Sequence, residues 1–453
     1  MAVQRLFVAN RGEIAVRILR TARQLGIETV LGVSAADRDT LGAEMADRAV
    51  VLGPAPAQKS YLNAPLVVHA AAATGCDALH PGYGFLSEKP ELSRLCEEAG
   101  VTFVGPRAET VETLGDKLAG RAFAREAGVP MIPGTNLIET LADARRAAGK
   151  LGYPVVMKAS AGGGGKGMFK AASAAELDAS FERAKREAES AFGDSRLYME
   201  RFVERARHVE VQIVGDGEGA VLHFGERDCT VQRRYQKLVE EAPATAVPDE
   251  VRARLHAAAV RLTSKARYRG AGTVEFLYDV DRNDFYFMEV NSRIQVEHPV
   301  TEEVTGRDLI ALQLRVAAGE GLGIVQEDIR ISGHAIECRI NAEDPSNNFL
   351  PAPGRITHWA PPQGEGLRLD THARQGYLVP PYYDSMIGKL IASGRDRDVA
   401  ATRLVRAIEA FGIEGPKTTL PLAAFIASHP DFRGNRITTR WLEDHGLPAF
   451  AKA

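Results

Sequence analysis

The chain has 453 residues, 45% hydrophobic and 25% charged, the balance of an ordinary soluble globular protein with room for about two to four domains. Its 56 basic and 59 acidic residues leave a net charge of −3, which gives no broad basic field to attract nucleic acid or an anionic membrane. Cys76, Cys96, Cys229 and Cys338 lack C-x-x-C spacing and no apolar run is long enough to span a membrane, so a reducing, cytoplasmic setting is expected.

Residues 5 to 9 look like a buried strand, followed by an amphipathic helix from about Ile14 to Leu25 and a second strand near Glu28 to Val33. With Ala49 to Leu52, a helix near 62 to 74 and Val101 to Gly105, this opening predicts a doubly wound, Rossmann-like domain. Its first turn, Asn10-Arg-Gly-Glu13, lacks G-x-G-x-x-G, so the fold is expected without a dinucleotide. The segment His80 to Glu88, with Tyr83 at its tip, reads by itself as a plain turn.

A helix from about Thr110 to Ala127 should stop at Gly128-Val-Pro130, and a lone helical Lys117 reads as solvated. After a helix around 140 to 150, residues 153 to 160 read as a strand carrying Lys158. Then comes the run Gly162, Gly163, Gly164, Gly165, Lys166, Gly167. It meets the dinucleotide pattern only by glycine abundance and fails the P-loop pattern, because Gly167 follows Lys166 where Ser or Thr is needed. What remains is a strand-loop-strand flap, with Met168 to Ala171 as its second strand. Its bare N–H groups could cradle phosphate, or it could be a flexible hairpin tip.

Ser173 and Glu176 have capping-box spacing ahead of a helix from Ala174 to Ala191. Strands follow at 197 to 203 and 208 to 214, the second placing His208, Glu210 and Gln212 on one face. The cation-rich run from Arg227 to Lys237 reads as a solvated loop facing the acidic pair Glu240 and Glu241.

A helix at 249 to 267 leads to a hairpin, strands 270 to 278 and 285 to 291, that sets Glu275 on the same side as Glu289 and Asn291. Two carboxylates and an amide make an oxygen donor set for Mg²⁺ or Mn²⁺. The alternation continues through Arg293, Gln295 and Glu297, with Met288, Val290, Ile294 and Val296 apolar between them, as in an extended segment with one face on a core. A half-buried edge strand would give the same alternation, but this polar face is also equipped to hold a metal and orient an anion. A helix near 309 to 318 closes the unit; from Ile331 the pattern is mixed, with strands near 333 to 341, 355 to 359, 366 to 371 and 386 to 393 and helices near 397 to 411 and 418 to 427.

Taken together, Asn10-Arg-Gly-Glu-Ile-Ala, His80-Pro-Gly-Tyr-Gly-Phe-Leu-Ser-Glu, Gly115-Asp-Lys117, the glycine flap, Glu226-Arg-Asp-Cys, Glu240-Glu-Ala-Pro, Arg293-Ile-Gln-Val-Glu-His-Pro-Val-Thr, Glu337-Cys-Arg-Ile-Asn-Ala-Glu-Asp-Pro and Pro381-Tyr-Tyr-Asp-Ser-Met closely resemble biotin carboxylase, an ATP-grasp ligase. The resemblance covers nearly the whole chain. It implies a multidomain α/β and α+β chain: a Rossmann-like N-terminal domain at 1–114, an ATP-grasp domain at 115–330 with a mobile glycine-rich lid at about 131–204, and a mixed C-terminal domain at 331–447.

Carried over by residue, Lys117, Lys158 and the flap at 162–167 would bind ATP phosphates, while Glu200, Arg201, Phe202 and Val203 would hold the adenine edge and His208 and Gln232 line the nucleotide site. Glu275, Glu289 and Asn291 match the family's metal positions. Glu297 would be the base for bicarbonate, Arg293, Gln295 and Val296 would hold that anion, and Lys237 would neutralise charge near the phosphate. Arg339 would stabilise the biotin enolate beside Tyr83. The resemblance further implies biotin on a separate carboxyl carrier protein, carboxyltransferase partners, and a homodimer with Arg17 at its interface.

Three departures stand out: Tyr235 replaces the His of some relatives, Ser292 a Thr and Lys166 an Arg. Lys158 lacks the following Met of a biotinylation site, so no covalent biotin is expected on this chain. Acetyl-CoA is the default acceptor; propionyl-CoA, other acyl-CoA and pyruvate systems share the half-reaction. The rivals are another ATP-grasp ligase, such as a carbamoyl phosphate synthetase, and a catalytically dead nucleotide-binding scaffold.

Overall fold

The structure, a computed structural model, describes residues 3–159 and 168–452. The N-terminal pattern becomes a five-stranded parallel sheet in the spatial order Arg48–Gly53, Glu28–Ser34, Arg5–Val8, Ala78–His80, Thr102–Phe103. Successive residues of the first strand face opposite layers. Leu6 and Val8 pack on Ile14, Ile18 and Leu19 of helix Gly12–Gln24, while Phe7 packs on Val67 and Ala71 of helix Ala64–Ala73. Burying each such side chain contributes about 1.5–3 kcal/mol, which makes a sheet with helices on both faces favourable. The strand Ala78–His80 was not expected; its three residues are all buried and too few to show alternation.

The helix expected from Thr110 to Ala127 is two helices, Ala108–Gly115 and Lys117–Glu126, because Asp116 turns extended between them. Lys117 therefore opens a helix rather than sitting within one. Beyond it, a four-stranded antiparallel sheet runs Gly134–Ile138, Leu197–Arg201, Val155–Ala159, Met168–Ala171, backed by helices Leu141–Leu151 and Ala174–Phe192. Gly162, Gly163, Gly164, Gly165, Lys166 and Gly167 lie outside the described residues.

The rest is organised on one eight-stranded antiparallel sheet, ordered Asp284–Asn291, Arg269–Asp279, Ala206–Asp216, Val221–Arg233, Gln236–Ala242, His334–Asn341, Met386–Gly394, Leu367–Thr371. It runs without a break from the middle of the chain into its C-terminal part. Val209, Val211, Ile213, Val274 and Phe276 pack on helix Asp249–Lys265, and the far strands pack on helices Arg397–Glu409 and Leu420–Ser428. The polar residues that alternate with them project to the opposite face.

Two sequence expectations change here. The run Arg227 to Lys237 is no solvated loop but the end of a hairpin, turned at Arg234 and Tyr235 with φ of 47° and 68°. Arg227 is fully buried and only the tip is exposed. The extended segment through Glu297 ends early, because strand pairing stops at Asn291, residues 292–297 run irregularly, and Glu297 precedes an unexpected helix His298–Thr305.

Candidate active site

Glu289, Glu275, Glu210 and Arg227 are successive register partners across four strands of the large sheet. Directly opposed residues of antiparallel strands share a face, so the sheet itself lines up three carboxylates and a guanidinium. Arg227 is the hub. It donates to Glu210 Oε1 at 2.6 Å, Gln212 Oε1 at 2.7 Å, Gln295 Oε1 at 2.9 Å, Thr301 Oγ1 at 3.0 Å and Thr273 Oγ1 at 3.1 Å. Gln295 in turn donates to Glu275 Oε1 at 3.0 Å.

Lys237 Nζ sits among three carboxylates, 2.6 Å from Glu210, 2.9 Å from Glu275 and 2.6 Å from Glu297. The other oxygen of Glu297 faces Arg339 at 3.0 Å, and Arg339 Nε also donates to Glu240 at 2.6 Å. Burial alone would raise the Glu297 carboxyl, but Lys237, then Arg339 and Arg227, hold it well below the ordinary carboxylate range. Burial lifts Glu240 to about 7 even with Arg339 beside it. Glu337, the register partner of Glu240, is wholly buried with neither oxygen hydrogen-bonded among the described residues, and burial raises it well above the usual range.

The donor set for a divalent cation fits. The Glu289 carboxylate makes no hydrogen bond or ion pair among the described residues, and burial with the neighbouring Glu275 raises its pKa. A cation between the two carboxylates would relieve both effects. Glu275 Oε2 meets His208 Nε2 at 3.0 Å, which raises the His208 pKa against the opposing effect of burial. Asn291 Oδ1 accepts from Arg293 at 3.1 Å, leaving a buried Nδ2 without a partner among the described residues.

The other expected residues surround this centre. Arg293 Nε lies 3.1 Å from Glu88, and Tyr83 donates to Glu13. Gln232 is buried as the register partner of Lys237. Lys158 pairs with Glu200 at 2.5 Å, and Glu200 also holds Arg121 at 2.7 Å. Arg201 reaches Asp279 at 3.6 Å, Phe202 lies under Lys170, and Val203 is buried. Lys117 is exposed at its helix start, near enough to Glu289 to lower that carboxyl.

Sequence reasoning missed Arg227, Glu240, Glu337, Glu13 and Lys389 as parts of this cluster. Glu210 carried a signal in its alternation with His208 and Gln212; Arg227 did not, since a charge run looks alike whether solvated or buried.

Comparisons agree with this geometry. Family models described as biotin carboxylase N-terminal domain, carbamoyl-phosphate synthase L chain ATP binding domain, and biotin carboxylase C-terminal domain match residues 2–111, 116–325 and 337–444. The chain is 49% identical over 446 residues to biotin carboxylase 1 of Bacillus subtilis, covering 98% of this chain and 99% of the relative. It is 46% identical over 443 residues to a subunit of the pyruvate carboxylase of Methanothermobacter thermautotrophicus, covering 97% and 90%. The Hydrogenobacter thermophilus 2-oxoglutarate carboxylase biotin carboxylase domain dimer, solved with MgADP, ADP and bicarbonate, superposes with a TM-score of 0.90 at 44% identity, covering 100% of this chain and 99% of that one. The middle match alone would leave room for a carbamoyl phosphate synthetase, but the flanking matches and the end-to-end relatives do not: the chain belongs to the biotin carboxylase family and has its ATP-grasp architecture.

Proposed function

We propose that this protein uses ATP and bicarbonate to carboxylate biotin on a separate carrier protein, as the first half-reaction of an acyl-CoA carboxylase whose acceptor is acetyl-CoA. The observation that carries this reading is Glu297, held on one oxygen by Lys237 and on the other by Arg339. Arg293, Gln295 and Val296 hold bicarbonate, and Glu297 takes its proton as the oxygen attacks the γ-phosphorus and ADP leaves. Lys117, Lys158 and the flap bind the phosphates, with Lys237 neutralising charge beside them.

A bound Mg²⁺ would offset developing charge on the phosphoryl oxygens, held by Glu275, Glu289 and Asn291. Carboxyphosphate then divides into CO₂ and phosphate, the phosphate takes the biotin N1′ proton, and Arg339 stabilises the enolate beside Tyr83 while N1′ attacks CO₂. In the ligand-free site Glu297 is a weak base. An arriving anion that draws Lys237 and Arg339 toward itself frees Glu297 and strengthens it.

The division at residues 114 and 330, the homodimer and the carboxyltransferase partners belong to the same proposal. Arg17 is already engaged within its own chain, with Glu302 at 2.7 Å and Asp308 at 2.9 Å, so a dimer contact there would add to an existing cluster. Bicarbonate-dependent ATP cleavage stimulated by free biotin tests the reaction; biotin-independent, ammonia-dependent turnover would overturn it. The pyruvate carboxylase relative favours a second acceptor class. The transferase that co-purifies decides between them.

A further inference from the structure

Lys389, on strand Met386–Gly394, is 0% exposed, yet among the described residues its Nζ pairs with none of the carboxylates that surround Lys237 and Arg339. It donates to the backbone carbonyl of Val296 at 2.6 Å and pairs with Glu13 Oε1 at 3.2 Å. Glu13 lies in the first turn of helix Gly12–Gln24 of the N-terminal domain, and the same oxygen accepts from the Tyr83 hydroxyl. A continuous chain thus runs from half-buried Tyr83 through buried Glu13 and Lys389 to the peptide linking Val296 to Glu297.

That peptide lies in the irregular stretch 292–297, where no strand ladder fixes the backbone. A peptide unit is planar, so holding its carbonyl fixes the direction of the N–H on its far side, which belongs to Glu297. Neither Val296 nor Glu297 donates its N–H to another group among the described residues. Glu297 is buried and Val296 half-buried, and an unpaired N–H in such surroundings invites an anionic acceptor. The strand beneath supplies the anchorage, because Lys389 is the register partner of Arg339 on one side and Asp370 on the other.

We propose that Lys389 is a positioning residue: with Glu13 it fixes the Val296–Glu297 peptide for bicarbonate and couples that anion's site to Tyr83. The inference rests on the functional reading above. A bare counter-ion role, offsetting Glu13, Glu337 and Asp370, would make Lys389 matter to stability without any selective effect on one substrate.

The test is steady-state kinetics of full-length Lys389→Met, Lys389→Arg and Glu13→Gln, each titrated separately with ATP, bicarbonate and free biotin and paired with a thermal melt. Lys389→Met is expected to raise the KM for bicarbonate about ten-fold or more while the KM for ATP stays within about two-fold. Lys389→Arg, which keeps a donor and a charge, should recover part of the loss. Glu13→Gln should raise the bicarbonate and biotin KM values together, and it keeps the question open to measurement if Lys389→Met does not fold. Folded variants with an unmoved bicarbonate KM, whatever their melting temperatures, overturn the proposal. A wild-type protein whose ATP cleavage ignores bicarbonate overturns the functional reading first and this inference with it.

Discussion

Replacing Glu297 by Gln removes one negative charge and leaves the shape of the site intact. In the wild type that carboxylate is one of three around Lys237 and one of two beside Arg339. The variant leaves Lys237 with Glu210 and Glu275, and Arg339 with Glu240, so neither cation is stranded. The stability cost should therefore fall short of the roughly 3–5 kcal/mol typical of an orphaned buried charge.

The rate is another matter. Loss of a positioned general base lowers turnover by about 10²- to 10⁴-fold, equivalent to about 3–5 kcal/mol in the barrier. A coupled ADP-release assay with saturating biotin, run across ATP and bicarbonate concentrations, should show this drop in kcat with the KM for ATP within about three-fold of wild type. A Glu297→Gln enzyme that keeps bicarbonate-dependent turnover within about three-fold of wild type refutes Glu297 as the base.

Four further outcomes are expected. Glu240, raised to about 7, keeps its proton in the folded chain above the ordinary carboxylate value of 4.5, so it lowers stability as pH rises between those values and adds no further slope above them. In melts from pH 5 to pH 8, the difference between Glu240→Gln and wild type should accordingly move in the variant's favour as pH rises; a flat difference would contradict the raised pKa. Arg227→Met should cost about 3–5 kcal/mol in urea unfolding, because it leaves Gln212, Gln295, Thr273 and Thr301 with lost buried bonds, and a cost under about 1 kcal/mol would deny its place as hub. Glu289→Gln should raise the Mg²⁺ concentration for half-maximal ATP cleavage about ten-fold or more, with no change at all speaking against the metal role. The intact mass of the chain, expressed with biotin and a biotin ligase, should carry no biotinyl group; one added group would place the carrier on this polypeptide.

Four strands of the N-terminal sheet were legible in the sequence as short apolar runs set between helical patterns, and the hairpin carrying Glu275 and Glu289 by an alternation long enough to read. The strand Ala78–His80 and the helix His298–Thr305 were not, the first too short and the second hidden behind an apparent continuation of the strand pattern. Arg227 shows the deeper limit. A cation's burial depends on acceptors brought by other strands, and Glu210, Gln212 and Thr273 reach it only through pairings set by the whole sheet. Glu337 and Arg339 stood out in their strand, but the complete burial of Glu337 opposite Glu240 depends on a partner strand far away in sequence.

The uninterrupted eight-stranded sheet also governs how this chain can be handled. Strand Gln236–Ala242 lies against strand His334–Asn341, so a cut between the two would bare a row of unpaired N–H and C=O groups along each. Such bare edges recruit other chains, and fragments drawn at the family-match limits would be adhesive pieces rather than separable modules. A chimera between relatives meets the same constraint: a graft that takes the catalytic half from one parent has to take both sides of that ladder.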